Sequence, residues 1–349
     1  MTLHRYRQIN DVHISDQPPS GRTASYLDDV LAKLDWAVTV PSSTAAIIIT
    51  GDLLHRKNAA HTTHRTVQRI RDVLTMGVPV YIVPGNHDEA HGGGLDGQPL
   101  LSVVDGGRIQ LLDGRSLRDP LISGVPWNNA FEGEFGVSAF GDAVRKATQP
   151  RGRHDIPAPL VFAHAPISLD PFPFGPEERG WMLAYDVISA MPFHVHLLAH
   201  GHFHNGHPVE QWGRSLDDGN ISVITRITLS NPGALARASL STDDVTRRPM
   251  VADITYDDST GTVEVEYVEV ECARPADEVL RIERHEREAH RDGTVEALAA
   301  SLAGADAEVV DADTMRAHLR GLVRPDTIAE DVWTKGIALA DAALDGVTA

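Results

Sequence analysis

The sequence has a single cysteine, no long apolar run and comparatively few basic residues. Cys272 alone cannot form an internal disulfide framework, and this scarcity fits a reducing compartment. No stretch approaches the roughly 20 apolar residues that a membrane span needs, and the first residues contain no apolar run of signal-peptide length. These absences predict a cytoplasmic protein without a membrane partner.

The charge of the chain is unbalanced toward the acidic side. The 349 residues carry 49 Asp and Glu against 31 Lys and Arg, a formal net charge of −18. Proteins bind phosphate backbones mainly through lysine and arginine. This charge balance therefore argues against a generic, nonspecific nucleic-acid binder. It does not exclude a nuclease, since bound cations reverse the sign of the local charge. The local basic clusters, which are candidates for a groove although such clusters are more often solvated surface, are Arg145 and Lys146, Arg151 and Arg153, and Arg247 and Arg248.

Short apolar runs alternate with helical patterns along most of the chain. Residues 45–50 and 77–85 have the pattern of buried strands, and residues 23–40 and 62–76 have the apolar spacing of helices. This alternation predicts a layered α/β domain. Further predicted strands lie at 6–12, 108–112, 120–125, 159–163, 194–199 and 221–229, and a predicted hairpin pairs 250–256 with 262–271.

The amino-acid composition of the sequence changes after Cys272. From 275 to 349 the chain is rich in Ala, Glu and Arg, has helical periodicity and carries more acidic than basic residues. We therefore predict a domain boundary near 273–276. One domain would span 1–272, and a mainly helical region would span 273–349.

Polar motifs follow five of the predicted strands. Active-site loops of open α/β sheets gather at strand ends, and carboxylates, amides and imidazoles are ligands that Mn²⁺, Fe or Zn accepts. Taken singly, each motif is more commonly a helix cap, a turn or a core histidine, so the argument depends on the series. The series consists of Asp11-Val-His13, Gly51-Asp52, Gly85-Asn86-His87-Asp88, His164 and Gly201-His202-Phe203-His204.

In order and identity these motifs resemble D-x-H, G-D, G-N-H-[DE], H and G-H-x-H of the calcineurin-like metallophosphoesterases. The resemblance implies an α/β fold, a four-layer sandwich of two mixed β-sheets flanked by helices, followed here by the helical extension. It also implies two divalent metal ions, with Mn²⁺ expected and Fe, Zn or Mg as alternatives. Asp11, His13 and His204 would hold the first ion, Asn86, His164 and His202 the second, and Asp52 would bridge them.

The same resemblance assigns the chemistry. A carboxylate suits the bridging position of Asp52 because its two oxygens can serve two cations roughly 3.5–4 Å apart. The cations lower the pKa of bound water, so that hydroxide becomes available to attack phosphorus in line. His87 matches the catalytic histidine of the family, which acts as general acid or orients the phosphate, with Asp88 holding its ring.

One further residue points to a branch of the family. The segment Gly51-Asp52-Leu53-Leu54-His55 resembles the G-D-L-F-H of SbcD-type DNA repair nucleases, in which the last histidine contacts the substrate phosphate. PVYIVPGNHD and SNPGALAR resemble the same group. The resemblance implies a Mn²⁺-dependent DNA exonuclease and endonuclease subunit in recombination or repair. It also implies an SbcC-like ABC ATPase that docks on the C-terminal region, and a homodimer formed by helices of the catalytic domain.

Two other functions stay open. A phosphodiesterase or phosphatase acting on a small molecule would use the same metals, although His55 argues against it. A metal-binding scaffold without catalysis would typically have lost the catalytic histidine, whereas His87 is present. Cleavage of DNA, compared with cleavage of bis-p-nitrophenyl phosphate, distinguishes the first alternative, and the His87→Asn variant distinguishes the second.

Overall fold

The computed structural model describes residues 2–55, 62–90, 94–150, 156–171, 173, 180–217 and 222–282. The chain divides into two units, Met1–His285 and Glu286–Ala349, and the description concerns the first. Most of the region at 273–349 lies outside the described residues, so its helical character and the domain boundary stay predictions. The described start of that region includes Val279 and Leu280, which are both buried.

The secondary structure of the described residues alternates strands and helices as predicted. The strands are β1 (Leu3–Ile9), β2 (Ala46–Thr50), β3 (Val80–Val83), β4 (Ile109–Leu111), β5 (Gly114–Arg115), β6 (Ile122–Val125), β7 (Leu160–His164), β8 (Ile167–Ser168), β9 (Met182–Leu183), β10 (Leu197–Gly201), β11 (His207–Asp217), β12 (Ser222–Asn231), β13 (Met250–Asp257) and β14 (Thr262–Glu269). The helices are α1 (Tyr26–Val38), α2 (His64–Leu74), α3 (Pro99–Val103), α4 (Gly136–Thr148), α5 (Ala184–Ala190), α6 (Thr242–Thr246) and α7 (Ala276–Val279).

The described strands form two six-stranded sheets and one two-stranded pair. The first sheet has the order β14-β13-β1-β2-β3-β4, in which β1 to β4 run parallel, β13 pairs antiparallel to β1, and β14 pairs antiparallel to β13. The second has the order β11-β12-β10-β7-β6-β5, in which β12, β10, β7 and β6 run parallel between antiparallel edge strands. Both sheets are therefore mixed, and every predicted strand overlaps one of their members.

Three buried apolar clusters define the layers. In β2, Ile48 belongs to the cluster between the two sheets, whereas Ile47 and Ile49 belong to the cluster under α1, α2 and α3. In β7, Phe162 likewise lies between the sheets and Val161 lies under α4 and α5. Because successive side chains of a strand point to opposite faces, each sheet is covered on both sides. The predicted four-layer sandwich is confirmed.

The helices of the first sheet form because their apolar residues recur at helical spacing. Helix α2 buries Val67, Ile70 and Leu74 on one face, and Thr63 caps its first turn by accepting from the Thr66 amide at 3.3 Å. Among the described residues, no helix combines the length and the apolar character that crossing a bilayer requires.

Candidate metal centre

The predicted ligands lie where strands of both sheets end. The loops after β1, β2 and β3 and the ends of β7 and β10 carry Asp11, His13, Asp52, Asn86, His164, His202 and His204. A Cβ built on Gly51 would overlap the His164 ring, so the edges of the two sheets are in contact. The structure thus brings the seven predicted ligands to one place.

Four non-glycine residues among those described have a positive φ, and all four are predicted ligands. The angles are 46° at Asp11, 52° at His13, 48° at Asp52 and 101° at His202. Such conformations cost about 1–3 kcal/mol each and persist only where the surrounding structure fixes them. Backbone strain is therefore concentrated at the loops whose side chains turn toward a common point.

The ligand atoms of Asp11, His13 and His204 form one group. They lie within 4.8 Å of one another, and His13 Nε2 is 2.9 Å from His204 Nε2. The hydroxyl of Tyr26 donates to the His13 carbonyl at 2.6 Å and so supports the strained loop. Two imidazoles and a carboxylate form a donor set that Mn²⁺, Fe and Zn accept.

A second group consists of Asn86, His164 and His202. The Thr50 carbonyl lies 2.9 Å from His164 Nδ1, which assigns the ring proton to that nitrogen and leaves a lone pair on Nε2. His164 Nε2 in turn lies 2.9 Å from Asn86 Oδ1 and 3.5 Å from Asp52 Oδ2. Acceptor lone pairs that converge in this way repel one another unless a cation lies between them, so the donor set fits a metal ion.

Two contacts join the groups. The His202 amide donates to both carboxylate oxygens of Asp11, at 3.2 and 3.1 Å. Asp52 Oδ2 lies 3.8 Å from His13 Nε2 as well as 3.5 Å from His164 Nε2. One oxygen of Asp52 therefore faces both groups, and the other accepts from the His87 amide at 2.8 Å.

Burial sets the protonation state of the centre. It lowers the pKa of His164 to about 3 and that of His204 to about 4, and it lowers the pKa of His13 and His202 well below the usual range. These rings are neutral near pH 7 and keep a lone pair for a cation. Burial and the neighbouring Asp52 charge raise the pKa of Asp11 well above its usual value. Because a cation stabilises adjacent buried carboxylates, the residues present fit a dinuclear divalent-metal centre.

His87 and His55 lie together beside the first group. Their rings stack with centroids 5.8 Å apart and 15° between planes, and the His13 ring meets the His87 ring edge-on at 5.0 Å. His87 Nδ1 is hydrogen-bonded to the His55 carbonyl. With that nitrogen engaged, Nε2 is the nitrogen of His87 that is available to a substrate.

The expectation that Asp88 holds the His87 ring needs correction. The Asp88 carboxylate is buried and accepts backbone N–H groups from Gly85 at 3.0 Å, Leu54 at 3.0 Å and Leu53 at 3.3 Å. Burial and the nearby Asp52 charge raise the pKa of Asp88 to about 7. The side chain therefore ties the loop after β2 to the loop after β3, and the His55 carbonyl orients the His87 ring instead.

A segment behind the first group is held by two cationic side chains, the buried Lys33 and the partly buried Arg247. The amides of Leu235 and Ala236 donate to the carbonyls of Asn10 and Asp11, at 2.8 and 3.3 Å. The carbonyl of Leu235 accepts from Lys33 Nζ at 3.0 Å, and that of Ala234 accepts from Arg247 at 2.6 Å. The SNPGALAR sequence is thus a support for the ligand loop after β1.

Arg247 also belongs to the basic clusters that are candidates for a groove. Besides Ala234, it binds the carboxylate of Asp244 at 2.7 Å, whereas Arg248 pairs with Glu269 at 3.1 Å. Arg145 pairs with Asp142 on its own helix α4 at 2.6 Å. Arg151 and Arg153 lie outside the described residues. In the described basic clusters, Arg145, Arg247 and Arg248 are thus each paired with a neighbouring acid, and Lys146 is exposed.

Sequence reasoning missed a buried amide network under the centre. Asn10 donates to the His200 carbonyl at 2.8 Å and to Asn231 Oδ1 at 2.9 Å, and Gln8 donates to the same His200 carbonyl at 3.2 Å. These bonds join β1 of one sheet to β10 and β12 of the other. The signal was present in the sequence, since Gln8 and Asn10 are polar residues within the predicted strand 6–12, and both are buried.

Comparison with known proteins identifies the family of the chain. The family model for calcineurin-like phosphoesterases matches residues 4–206, more than half of the 349 residues and the whole span of the predicted ligands. The chain belongs to the calcineurin-like phosphoesterase family. Members use a dinuclear divalent-metal site, and the His and Asp clusters described above are candidates for one. No curated protein matches the sequence.

Two solved structures resemble the chain at low sequence identity. The purple acid phosphatase PPD1 isolated from yellow lupin (Lupinus luteus) seeds is 12% identical with a TM-score of 0.42, and the match covers 78% of this chain and 52% of that one. The chain therefore spans about half the length of that phosphatase. The Pseudomonas putida nuclease MPE is 16% identical with a TM-score of 0.30, and the match covers 71% of this chain and 83% of that one.

Proposed function

We propose that the chain is a phosphodiesterase that cleaves DNA, a Mn²⁺-dependent nuclease of the SbcD type acting in recombination or repair. The observation that supports this is the position of His55. Its ring stacks on His87, its Nδ1 lies 3.4 Å from His13 Nδ1, and it is partly exposed. An imidazole beside the general acid suits a diester, because it can hold a non-bridging phosphate oxygen as charge develops there.

The side chains of the centre would divide the catalytic work. Two divalent cations bound there would lower the pKa of a shared water and supply hydroxide near neutral pH. Asp52, oriented by the His87 amide, would keep the two metal positions at a fixed separation. Since His87 Nδ1 is engaged by the His55 carbonyl, the proton for the leaving oxygen would come from Nε2.

The acidity of the chain places a condition on this proposal. With a net charge of −18 and most of the described basic clusters paired to acids, the subunit alone would bind a phosphate backbone weakly. An SbcC-like ABC ATPase that docks on the C-terminal region would supply the missing affinity for DNA. We therefore expect the ATPase to increase cleavage of DNA and to leave cleavage of a small diester unchanged.

The experiment that tests the proposal is cleavage of linear single- and double-stranded DNA with Mn²⁺, with and without an SbcC-like ATPase. Bis-p-nitrophenyl phosphate is hydrolysed in parallel as a measure of the metal centre itself. We expect Mn²⁺-dependent degradation of DNA that the ATPase increases. Hydrolysis of the small diester without cleavage of any DNA would exclude the nuclease and retain the phosphoesterase.

One observation favours a second candidate, a phosphodiesterase or phosphatase for a small molecule. A cavity of about 1010 Å³ adjoins His202 and His204. Its described lining includes Glu132, Asp170 and Asp244 and contains neither lysine nor arginine. Such a lining suits a neutral or cationic leaving group better than a phosphate backbone. The test compares turnover of DNA with turnover of a phosphodiester of an uncharged alcohol, both with the ATPase present. Far faster turnover of the small diester would support this second candidate.

A further inference from the structure

Trp127 lies against the second ligand group. Its indole stacks on the His202 ring with centroids 4.8 Å apart and 27° between planes, and it meets the His164 ring at 5.9 Å and 66°. The Trp127 amide donates at 3.0 Å to the carbonyl of Pro84, two residues before Asn86. One residue thus contacts two ligands of the group directly and the backbone beside the third.

The indole is itself held in place. Only 6% of the Trp127 residue surface is exposed, and its ring N–H donates to Asn129 Oδ1 at 2.9 Å. Phe131 meets it edge-on at 6.5 Å and is buried in turn against Phe140 of α4. The ring is therefore a fixed surface, connected to the outer helix layer of the second sheet.

The two histidines of this group are oriented by different means. His164 has the Thr50 carbonyl on its Nδ1, which is the usual arrangement, since a ligating histidine commonly gives its other ring N–H to a carbonyl or carboxylate. Within the described residues, the hydrogen bonds of His202 are made by its backbone amide and none reaches its ring. The stacked indole takes the place of that missing hydrogen bond.

We propose that Trp127 is a positioning residue for the second metal position, and that it sets metal affinity there without affecting the first position. Among the described residues, its ring contacts reach His164, His202 and Phe131 and do not extend to Asp11, His13 or His204. Loss of a partner that orients a ligand costs about 10–100-fold in metal affinity. The inference rests on the two-metal assignment made above.

The test is Mn²⁺ binding to the full chain, measured by calorimetry and by electron paramagnetic resonance, which detects coupled ion pairs. We expect wild type to bind two ions. Trp127→Ala should bind one ion with unchanged affinity and the other at least about 10-fold more weakly, and the coupled-pair signal should decrease. Trp127→Phe, which keeps an aromatic face, should restore most of the loss. Trp212→Phe, at a tryptophan of β11, is the matched control.

Asn129→Ala offers a variant that leaves the core untouched, because Asn129 is exposed and bonds the indole N–H. We expect it to weaken the same metal position by a smaller factor. If Trp127→Ala does not fold, Trp127→Leu makes the same comparison with more of the buried volume kept. Equal weakening of both positions, or none at either, would overturn the role of Trp127. A wild type that binds fewer than two ions would instead overturn the two-metal function.

Discussion

The backbone amide of His87 donates to Asp52 Oδ1 at 2.8 Å. This bond leaves Asp52 Oδ2 directed between the two ligand groups, 3.8 Å from His13 Nε2 and 3.5 Å from His164 Nε2. The His87 amide therefore orients the Asp52 carboxylate, while the His87 ring lies beside His13 and His55. The predicted metal bridge and the predicted general acid are therefore joined by a backbone hydrogen bond.

Replacing Asp52 by asparagine keeps the shape of the side chain and removes its charge. We expect metal affinity to fall at both positions, by more than the roughly 10–100-fold that loss of an outer partner costs. Hydrolysis of bis-p-nitrophenyl phosphate should be abolished. Calorimetric Mn²⁺ titration checks the first result, with Asp28→Asn on the exposed face of α1 as control. Turnover retained with two bound ions would contradict the bridging assignment.

The ring of His87 can be removed without its amide. His87→Asn keeps the hydrogen bond to Asp52, so we expect metal occupancy to stay near that of wild type. The turnover number should fall by about 10²–10⁴-fold, the usual contribution of a positioned general acid. His64→Asn, at an exposed histidine that begins α2, is the control. Unchanged activity in His87→Asn would favour a non-catalytic scaffold.

The positions of the ligands could be predicted because each follows a strand in the sequence. Parallel strands place their carboxyl ends at the same edge, so Asp11, Asp52 and Asn86 had to be neighbours. The directions in which the side chains point were harder to predict from the sequence. Asp88 follows His87 in the chain, but the turn points its carboxylate to the amides of Leu53 and Leu54 rather than to the ring.

Other parts of the molecule depend on tertiary contacts that local patterns do not contain. Helix α4 holds Gly136 and Gly141, and glycine is unfavourable inside helices. A Cβ on Gly141 would come within 3.1 Å of the Ala190 carbonyl of α5, so close packing of two helices explains the glycine. Trp127 was missed for a similar reason. It belongs to no ligand motif, and its stacking on His202 depends on the strand order of the second sheet, in which β7 lies between β6 and β10.

His55→Ala separates the ring of His55 from its carbonyl. The carbonyl still accepts from His87 Nδ1 in the variant, so the general acid should stay in place. If the His55 ring holds a phosphate oxygen of DNA, cleavage should fall by about 10²–10³-fold, as when one donor to a developing charge is removed. Metal occupancy should change little. Equal loss of occupancy and cleavage would assign the ring to the metal group formed with His13 and His87.

Gly85 has no room for a side chain. A Cβ there would overlap both the amide and the carboxylate of Asp52. We expect Gly85→Ala to lower the free energy of unfolding by about 1–3 kcal/mol and to weaken metal binding, because Asp52 has to move. Gly213→Ala is the control, since a Cβ on this residue of β11 meets no atom within 4 Å. Wild-type metal affinity in Gly85→Ala would show that Asp52 tolerates the displacement.

Lys33 gives a prediction on pH because it is buried behind the centre. Its Nζ donates to the Leu235 carbonyl at 3.0 Å and lies 3.4 Å from Asp29 Oδ2. Burial lowers the pKa of Lys33 to about 8, although the charge of Asp29 opposes this shift. An unfolded lysine has a pKa of about 10.4. Between these two values the unfolded chain therefore binds more protons than the folded chain, and stability rises with pH.

Lys33→Met removes this titration and keeps a side chain of similar length. Below pH 8, Lys33 is protonated in the folded state, where burial disfavours its charge. The free energy of unfolding of the variant, relative to that of wild type, should therefore be highest there. As pH rises from about 8 to about 10.4, the free energy of unfolding of wild type should increase relative to the variant by about 3 kcal/mol. Urea unfolding of both metal-free proteins at either end of this range measures the difference. A difference that stays constant with pH would mean that Lys33 keeps its ordinary pKa in the folded protein. The favourable contacts of the ammonium group would then fully offset the cost of burying its charge.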